Sequence, residues 1–187
     1  MHREAAWQGE SFPGLELCRL EVEDGQGRLE GSVAYADAAD GAGNGLLSYR
    51  IDLAAPWRTT RVEIRRLPAF GAPTTLLLTR DEAGRWSIDG SERSDLAACA
   101  DVDLEFSPST NTLPIRRLEL AVGDSAPVAA AWVRFADLTV EVIEQTYERV
   151  GELGYRYRAG SFTADLEVDD AGLVLDYPGL WRRVGAG

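Results

Sequence analysis

Cys99-Ala100-Asp101-Val102-Asp103-Leu104-Glu105-Phe106-Ser107-Pro108-Ser109-Thr110-Asn111-Thr112-Leu113-Pro114-Ile115-Arg116-Arg117-Leu118 carries a strand, a turn and a helix start in one run. Val102, Leu104 and Phe106 alternate with Asp101, Asp103 and Glu105, the period-two pattern of a strand with one apolar and one polar face. Ser107-Pro108 ends that alternation, because proline has no N–H to continue a ladder. Any of Ser109, Thr110, Asn111 and Thr112 can cap a helix, and Pro114 is tolerated in a first turn. The pattern therefore predicts one short helix near residues 110–120.

Outward from this run the same alternation recurs along the whole chain. Leu29, Gly31, Val33 and Tyr35 share a face, as do Leu47, Tyr49, Ile51 and Leu53, and later Phe162, Ala164, Leu166 and Val168. The stretch from Val128 to Phe135 is alanine-rich, but its Val, Trp and Phe favour strand. About a dozen such runs imply a mainly β protein built on a large antiparallel sheet. Asp24 to Gly27, Asp81 to Gly84 and Asp169 to Gly172 supply tight turns, and Ala36 to Gly45 has the composition of a loop. Near the start the apolar parity slips: Leu15 and Leu17 share one face, while Cys18, Leu20 and Val22 share the other. An inserted residue would reconcile the two, so a β-bulge is expected at Leu17 to Arg19.

The 187 residues, 45% of them apolar, suit one domain spanning 1–187 with a sizeable core. A net charge of −12 argues against a nucleic-acid partner, which needs a basic stripe to displace counterions. The start Met1-His2-Arg3-Glu4 lacks a signal-like apolar run and the longest apolar stretch is too short to span a bilayer, so a cytoplasmic protein without a transmembrane segment is expected. Cys18 and Cys99 read as buried free thiols.

The inventory narrows the chemistry. His2 is the single histidine, there is no lysine, and no Gly-rich loop leads into Lys-Ser/Thr. Histidine triads, His-ligated metal centres, Schiff bases and P-loop chemistry are therefore set aside, and no cofactor or metal is expected. Carboxylates remain. Asp101 and Asp103 share a strand face, which reads as a solvated face, as partners for nearby arginines, or as hydrogen-bonding groups for a ligand. Arg116 and Arg117 are adjacent, so their side chains diverge by roughly 100° on a helix. One of them can anchor the Asp101/Asp103 face while the other meets a polar group. Tyr155 and Tyr157 share a face, and Asp176-Tyr177-Pro178-Gly179-Leu180-Trp181 places a tyrosine and a tryptophan around a Pro-Gly turn.

Asp101-Val102-Asp103-Leu104, Thr110-Asn111-Thr112-Leu113-Pro114-Ile115-Arg116-Arg117-Leu118, Ala131-Trp132-Val133 and Asp176-Tyr177-Pro178-Gly179-Leu180-Trp181 together resemble the bacterial family named putative glycolipid-binding proteins. Tyr49-x-Ile51, Trp57 and Gly84-x-Trp86 fit as well. The resemblance implies a curved sheet, an open or half barrel, wrapped around a single helix as in periplasmic lipoprotein carriers. It also implies a lipid or glycolipid held between sheet and helix, with acyl chains on the concave apolar face. The expected ligand-binding residues are Asp101, Asp103, Asn111, Arg116, Arg117, Tyr155, Tyr177 and Trp181. Two competing expectations are a structural or partner-binding module whose interior is filled by its own side chains, and an enzyme that uses Asp101 or Asp103 as a base on a small apolar substrate. The sequence assigns no oligomeric state.

Overall fold

The structure is a computed structural model, and it describes residues 1–11, 13–38, 43–55 and 57–185. The first eight strands are β1 (His2–Gly9), β2 (Gly14–Glu23), β3 (Gln26–Ala38), β4 (Gly43–Ala54), β5 (Arg58–Pro68), β6 (Thr74–Arg80), β7 (Trp86–Ile88) and β8 (Ser91–Glu92). Then come β9 (Asp101–Leu104), a 3₁₀ turn (Pro108–Asn111), α1 (Thr112–Leu118), β10 (Ser125–Val133), β11 (Val140–Arg149), β12 (Gly154–Ala159), β13 (Phe162–Val168), β14 (Val174–Tyr177) and β15 (Trp181–Val184). All fifteen strands join one sheet in the order β8-β7-β6-β5-β4-β3-β2-β1-β15-β14-β13-β12-β11-β10-β9. The terminal strands β1 and β15 thus pair at its centre, Ala6 opposite Val184.

This order forces curvature. At the usual strand spacing of about 4.8 Å, a flat sheet of this width would separate β8 from β9 by roughly 65 Å. The chain crosses between those edges through residues 93–100 alone, which can span at most about 30 Å. The sheet therefore curls until β9 comes beside β5, where the Val102 N–H donates to Thr59 Oγ1 at 3.3 Å. It stays an open curved sheet, not a closed barrel.

Every strand pair is antiparallel except β9 with β10, which run parallel. The antiparallel expectation is corrected there, because a helix lies between these two strands and returns the chain in the same direction. The helical stretch begins two residues earlier than predicted, in the 3₁₀ turn at 108–111 that leads into α1. Ser107 caps it, its hydroxyl accepting from the Ser109 N–H at 3.1 Å, with Pro108 in the first position. Asn111, a predicted cap, instead donates from its side chain to the Pro108 carbonyl at 3.0 Å. The turn at Asp24-Gly25 has positive φ at both residues, 50° and 77°, as a two-residue hairpin requires. The loop expected at Ala36 to Gly45 centres on residues 39–42, outside the described residues, and β3 and β4 extend to its flanks.

The bulge expected at Leu17 to Arg19 does not form. β2 pairs without a break to β3, from Gly14 opposite Tyr35 to Glu23 opposite Gln26. Register shifts occur instead at Tyr35/Ala38, Asp52/Leu53 and Glu167/Val168. With its register unbroken, β2 turns Glu16, Cys18 and Leu20 into the core, while Leu15 and Leu17 stay 53% and 62% exposed. A glutamate is inside and two leucines are outside.

Glycine makes this possible. Gly31 of β3 lies between Cys18 and Tyr49 in the cross-strand row, and a Cβ there would stand 2.5 Å from the Tyr49 hydroxyl and 2.8 Å from the Leu17 carbonyl oxygen. The Tyr49 ring therefore crosses the bare backbone to reach β2. Gly31→Ala is expected to lower stability by about 1–3 kcal/mol through overpacking, with unfolding in urea as the measurement. An unchanged midpoint would show that the ring can move aside at no cost.

Candidate functional site

Two polar constellations meet beneath the helix. The first is closed. Glu16 is fully buried, and its Oε1 accepts from the Tyr49 hydroxyl at 2.5 Å and from Ser107 Oγ at 2.6 Å. Ser109 Oγ lies 2.6 Å from Ser107 Oγ and 2.8 Å from the Tyr49 hydroxyl, which completes a ring of hydroxyls. Glu16 Oε2 has no partner. Burial pushes the Glu16 carboxyl up from 4.5 to about 7, against the pull of the three hydroxyls. The Cys18 thiol lies next to this cluster, and burial raises its pKa also. Cys18 and Cys99 are both buried and unbridged.

The second constellation is open. A pocket of about 380 Å³ lies between the 103–111 segment and one end of the sheet. Asp103, Glu105, Ser107 and Asn111 supply its polar lining, and Trp132, Tyr157, Phe162, Tyr177, Leu180 and Trp181 supply most of its apolar wall. The rings of Tyr157, Phe162 and Tyr177 pack on one another with centroids 6.1 to 6.2 Å apart. Ser107 belongs to both constellations, so the pocket floor is hydrogen-bonded to the buried glutamate.

Each strand aims its pocket side chain through simple alternation. Asp103 sits opposite Trp132 in the parallel β9–β10 pair. Tyr157 pairs with Ala164 on β13 and with Tyr147 on β11. The Tyr147 hydroxyl donates to Asn111 Oδ1 at 2.8 Å, which holds the 3₁₀ turn against the sheet. The Pro178-Gly179 turn, with Gly179 at φ 75°, sets Tyr177 opposite Trp181 in the β14–β15 hairpin. A positive φ of this kind suits glycine because it has no Cβ.

Asp103 is half-buried by surface area, yet its carboxyl group is densely surrounded. Gln145 donates to its Oδ2. Desolvation raises its pKa from 3.8 to about 6, the Gln145 bond opposes the rise, and the charges of Glu105 and Asp101 add to it. Burial likewise raises the pKa of Tyr157 and of Tyr177, so both phenols stay protonated at neutral pH. Glu105 is held differently: it accepts from the Phe135 N–H at 2.6 Å and pairs with Arg134 at 3.3 Å.

Of the residues expected to bind a ligand, Asp103, Asn111, Tyr177 and Trp181 meet in this pocket. Asp101, Arg116, Arg117 and Tyr155 do not line it. Asp101 faces the helix, where the Arg117 guanidinium forks onto both carboxylate oxygens at 2.6 to 3.2 Å. Arg116 diverges, stacks over Trp57 at 5.1 Å and reaches the Asp170 carbonyl at 3.3 Å. Tyr155 packs beneath Arg149 on the far side of α1. Tyr157 shares a face with Tyr155, but two residues along a strand is about 7 Å, enough to place them in different surroundings.

Of the three readings of the Asp101/Asp103 face, the solvated one is overturned, because Asp101, Val102 and Leu104 are buried; Asp101 is instead partnered by an arginine, and Asp103 lines the pocket. Sequence reasoning missed Glu16, whose one signal was an unbroken parity through Glu16, Cys18 and Leu20. It also missed Phe162, Trp132 and Gln145. Among the described residues the concave face is packed with side chains, Trp7, Trp86, Phe106 and Tyr147 among the largest. A concave face filled by its own side chains is what the competing expectation of a structural or partner-binding module described, and it leaves no room for acyl chains along that whole face.

Among the described residues no helix is long and apolar enough to cross a membrane, and no group of three His, Cys, Asp or Glu side chains is placed to hold a metal ion. No curated protein matches the chain. The crystal structure of a DUF1089 family protein from Pseudomonas aeruginosa is similar, with 34% sequence identity over 91% of this chain and 92% of that one, and a TM-score of 0.78. A family model described as "Putative glycolipid-binding" matches residues 4–183, nearly the whole chain that forms this sheet, helix and pocket. The chain belongs to that family.

Proposed function

We propose that this protein binds an amphipathic ligand of the glycolipid kind that the family description names, with the ligand's polar end in the pocket beside the helix. The observation that carries this reading is the pocket itself: a concave site of about 380 Å³ with an aromatic wall and a few converging polar groups, otherwise surrounded by a packed interior. Tyrosine and tryptophan faces suit the C–H faces of a sugar, while Asp103 and Asn111 offer hydrogen bonds. Phe162, 40% exposed, and Leu180 sit where the apolar tail would leave, each buried methylene contributing about 0.8 kcal/mol. The site is read as binding rather than catalytic. Asp103 lines the pocket, is desolvated and has no arginine partner, as a single base would require, but the lining gives it only hydrogen-bonding and aromatic groups to work with, and binding is the reading these support.

Trp132 and Trp181 in the lining give a direct readout. Octyl glucoside below its micelle concentration is expected to change tryptophan emission saturably. Phe162→Asp, at an exposed position, is expected to weaken that binding about tenfold, the worth of one to two kcal/mol of lost apolar contact. A response that does not saturate, or that is identical in the variant, would overturn the reading.

A further inference from the structure

The pocket has an electrostatic asymmetry. Its charged lining groups are Asp103 and Glu105, both acidic, and no arginine lines it. Glu105 has Arg134 and a backbone N–H. Asp101, the next acid along β9, has Arg117. Asp103 has the neutral amide of Gln145. A desolvated carboxylate without a countercharge is costly in a folded protein unless something else completes it.

The titratable groups that face Asp103 do not supply that charge. Asp101 and Glu105 flank it on its own segment, and Tyr147 of β11, Tyr157 of β12 and Tyr177 of β14 face it as neutral phenols. The wall around it adds a second preference of the same sign. Tyr157, Phe162 and Tyr177 all line the pocket, packed on one another at interplanar angles of 48° to 68° rather than as one flat stack. A ring face attracts a cation through its quadrupole, and more strongly when the cation is desolvated. An anionic head would meet the uncompensated Asp103 and no arginine in the lining, since Arg134, stacked behind Trp132, is already paired with Glu105.

We propose that the ligand's polar end carries a protonated amine, which pairs with Asp103 and rests against the Tyr157, Phe162 and Tyr177 rings. This rests on the pocket being the binding site. Desolvation holds the Asp103 carboxyl near 6, and an incoming ammonium would draw it back toward the ionised form.

The test compares three probes of equal chain length on the wild-type protein: octylammonium, octyl glucoside and octyl sulfate. Binding is followed by tryptophan emission in about 1 M NaCl, where the Debye length is about 3 Å and the general surface charge is screened. Octylammonium is expected to bind at least tenfold tighter than octyl glucoside, and octyl sulfate at least tenfold weaker. Asp103→Asn, which keeps the shape and a group for Gln145, is expected to bring octylammonium and octyl glucoside to within about threefold of one another. Octyl sulfate binding as tightly as octylammonium would overturn the proposal with no variant needed. A preference that persists in Asp103→Asn would also overturn it, because the cation would then be responding to charge elsewhere. Saturable octyl glucoside binding that Phe162→Asp weakens, without a preference for octylammonium, would sink the amine while leaving the pocket in place. Failure of all three probes to bind saturably would remove both readings.

Discussion

Replacing Asp101 by alanine is expected to cost about 3–5 kcal/mol of stability, the usual penalty for stranding one member of a buried ion pair. Asp101 is 1% and Arg117 17% exposed, so the guanidinium left behind could not regain full hydration without pulling α1 away from β9. The pair also bridges the strand and helix of the parallel crossover, and no other ion pair described in the structure joins α1 to β9. In a chain of this size each kcal/mol corresponds to roughly 2–4 °C in Tm, so the midpoint should fall by about 10 °C. Asp101→Leu with Arg117→Met removes both charges together and is expected to recover most of the loss, since apolar replacements of buried pairs are often neutral or stabilising. Urea unfolding of the single and double variants measures both effects. A single-variant loss below about 1 kcal/mol would mean that the pair is solvated in solution.

Glu16 is expected to give the protein a stability that declines from mildly acidic to neutral pH. Its carboxyl titrates near 4.5 when unfolded and is raised to about 7 in the fold. Between those values the native state holds a proton that the unfolded chain has released. Its contribution is therefore fully present below about pH 4.5 and is lost as pH rises through 7, a difference of about 3 kcal/mol. Glu16→Gln removes the titration. The amide oxygen can still accept from Tyr49 and Ser107, but the amide nitrogen replaces an oxygen that has no partner, at a cost of about 1–3 kcal/mol. The variant should be less stable than the wild type at pH 5, and equal or more stable at pH 8. Urea unfolding at the two pH values decides it. Subtracting one protein from the other cancels the titration of Asp103 and the surface acids. Parallel profiles would show that Glu16 is ionised and solvated in the native state.

Legibility in the sequence followed the range of the interactions involved. The helix was predicted near 110–120 and lies at 112–118 behind a 3₁₀ turn at 108–111, because Ser107, Pro108 and the apolar spacing act within a few residues of one another. The divergence of Arg116 and Arg117 held for the same reason, helical geometry alone sending one to Asp101 and the other over Trp57. The bulge at Leu17 to Arg19 failed for the opposite reason. Hydropathy placed the leucines inside, but what makes a buried Glu16 tolerable is Tyr49, 33 residues away, and Ser107, 91 residues away. Gly31 was legible as a strand residue; that it opens a path for the Tyr49 ring was not.

The candidate site divides along the same line. Asp103, Asn111, Tyr177 and Trp181 came from local patterns and converge in the pocket, while Phe162, Trp132 and Gln145 were recognisable only once β10 to β13 were laid side by side. By itself the sequence determined what each segment would become: strands by alternation, turns by glycine and proline, one helix by its start signals. The tertiary structure alone decided which segments met. β1 pairs with β15 at the centre of the sheet, and a link of eight residues crosses between the outer edges and curls the whole. Strand patterns specify faces but not neighbours, and burial, unpaired charge and pocket shape are properties of neighbours.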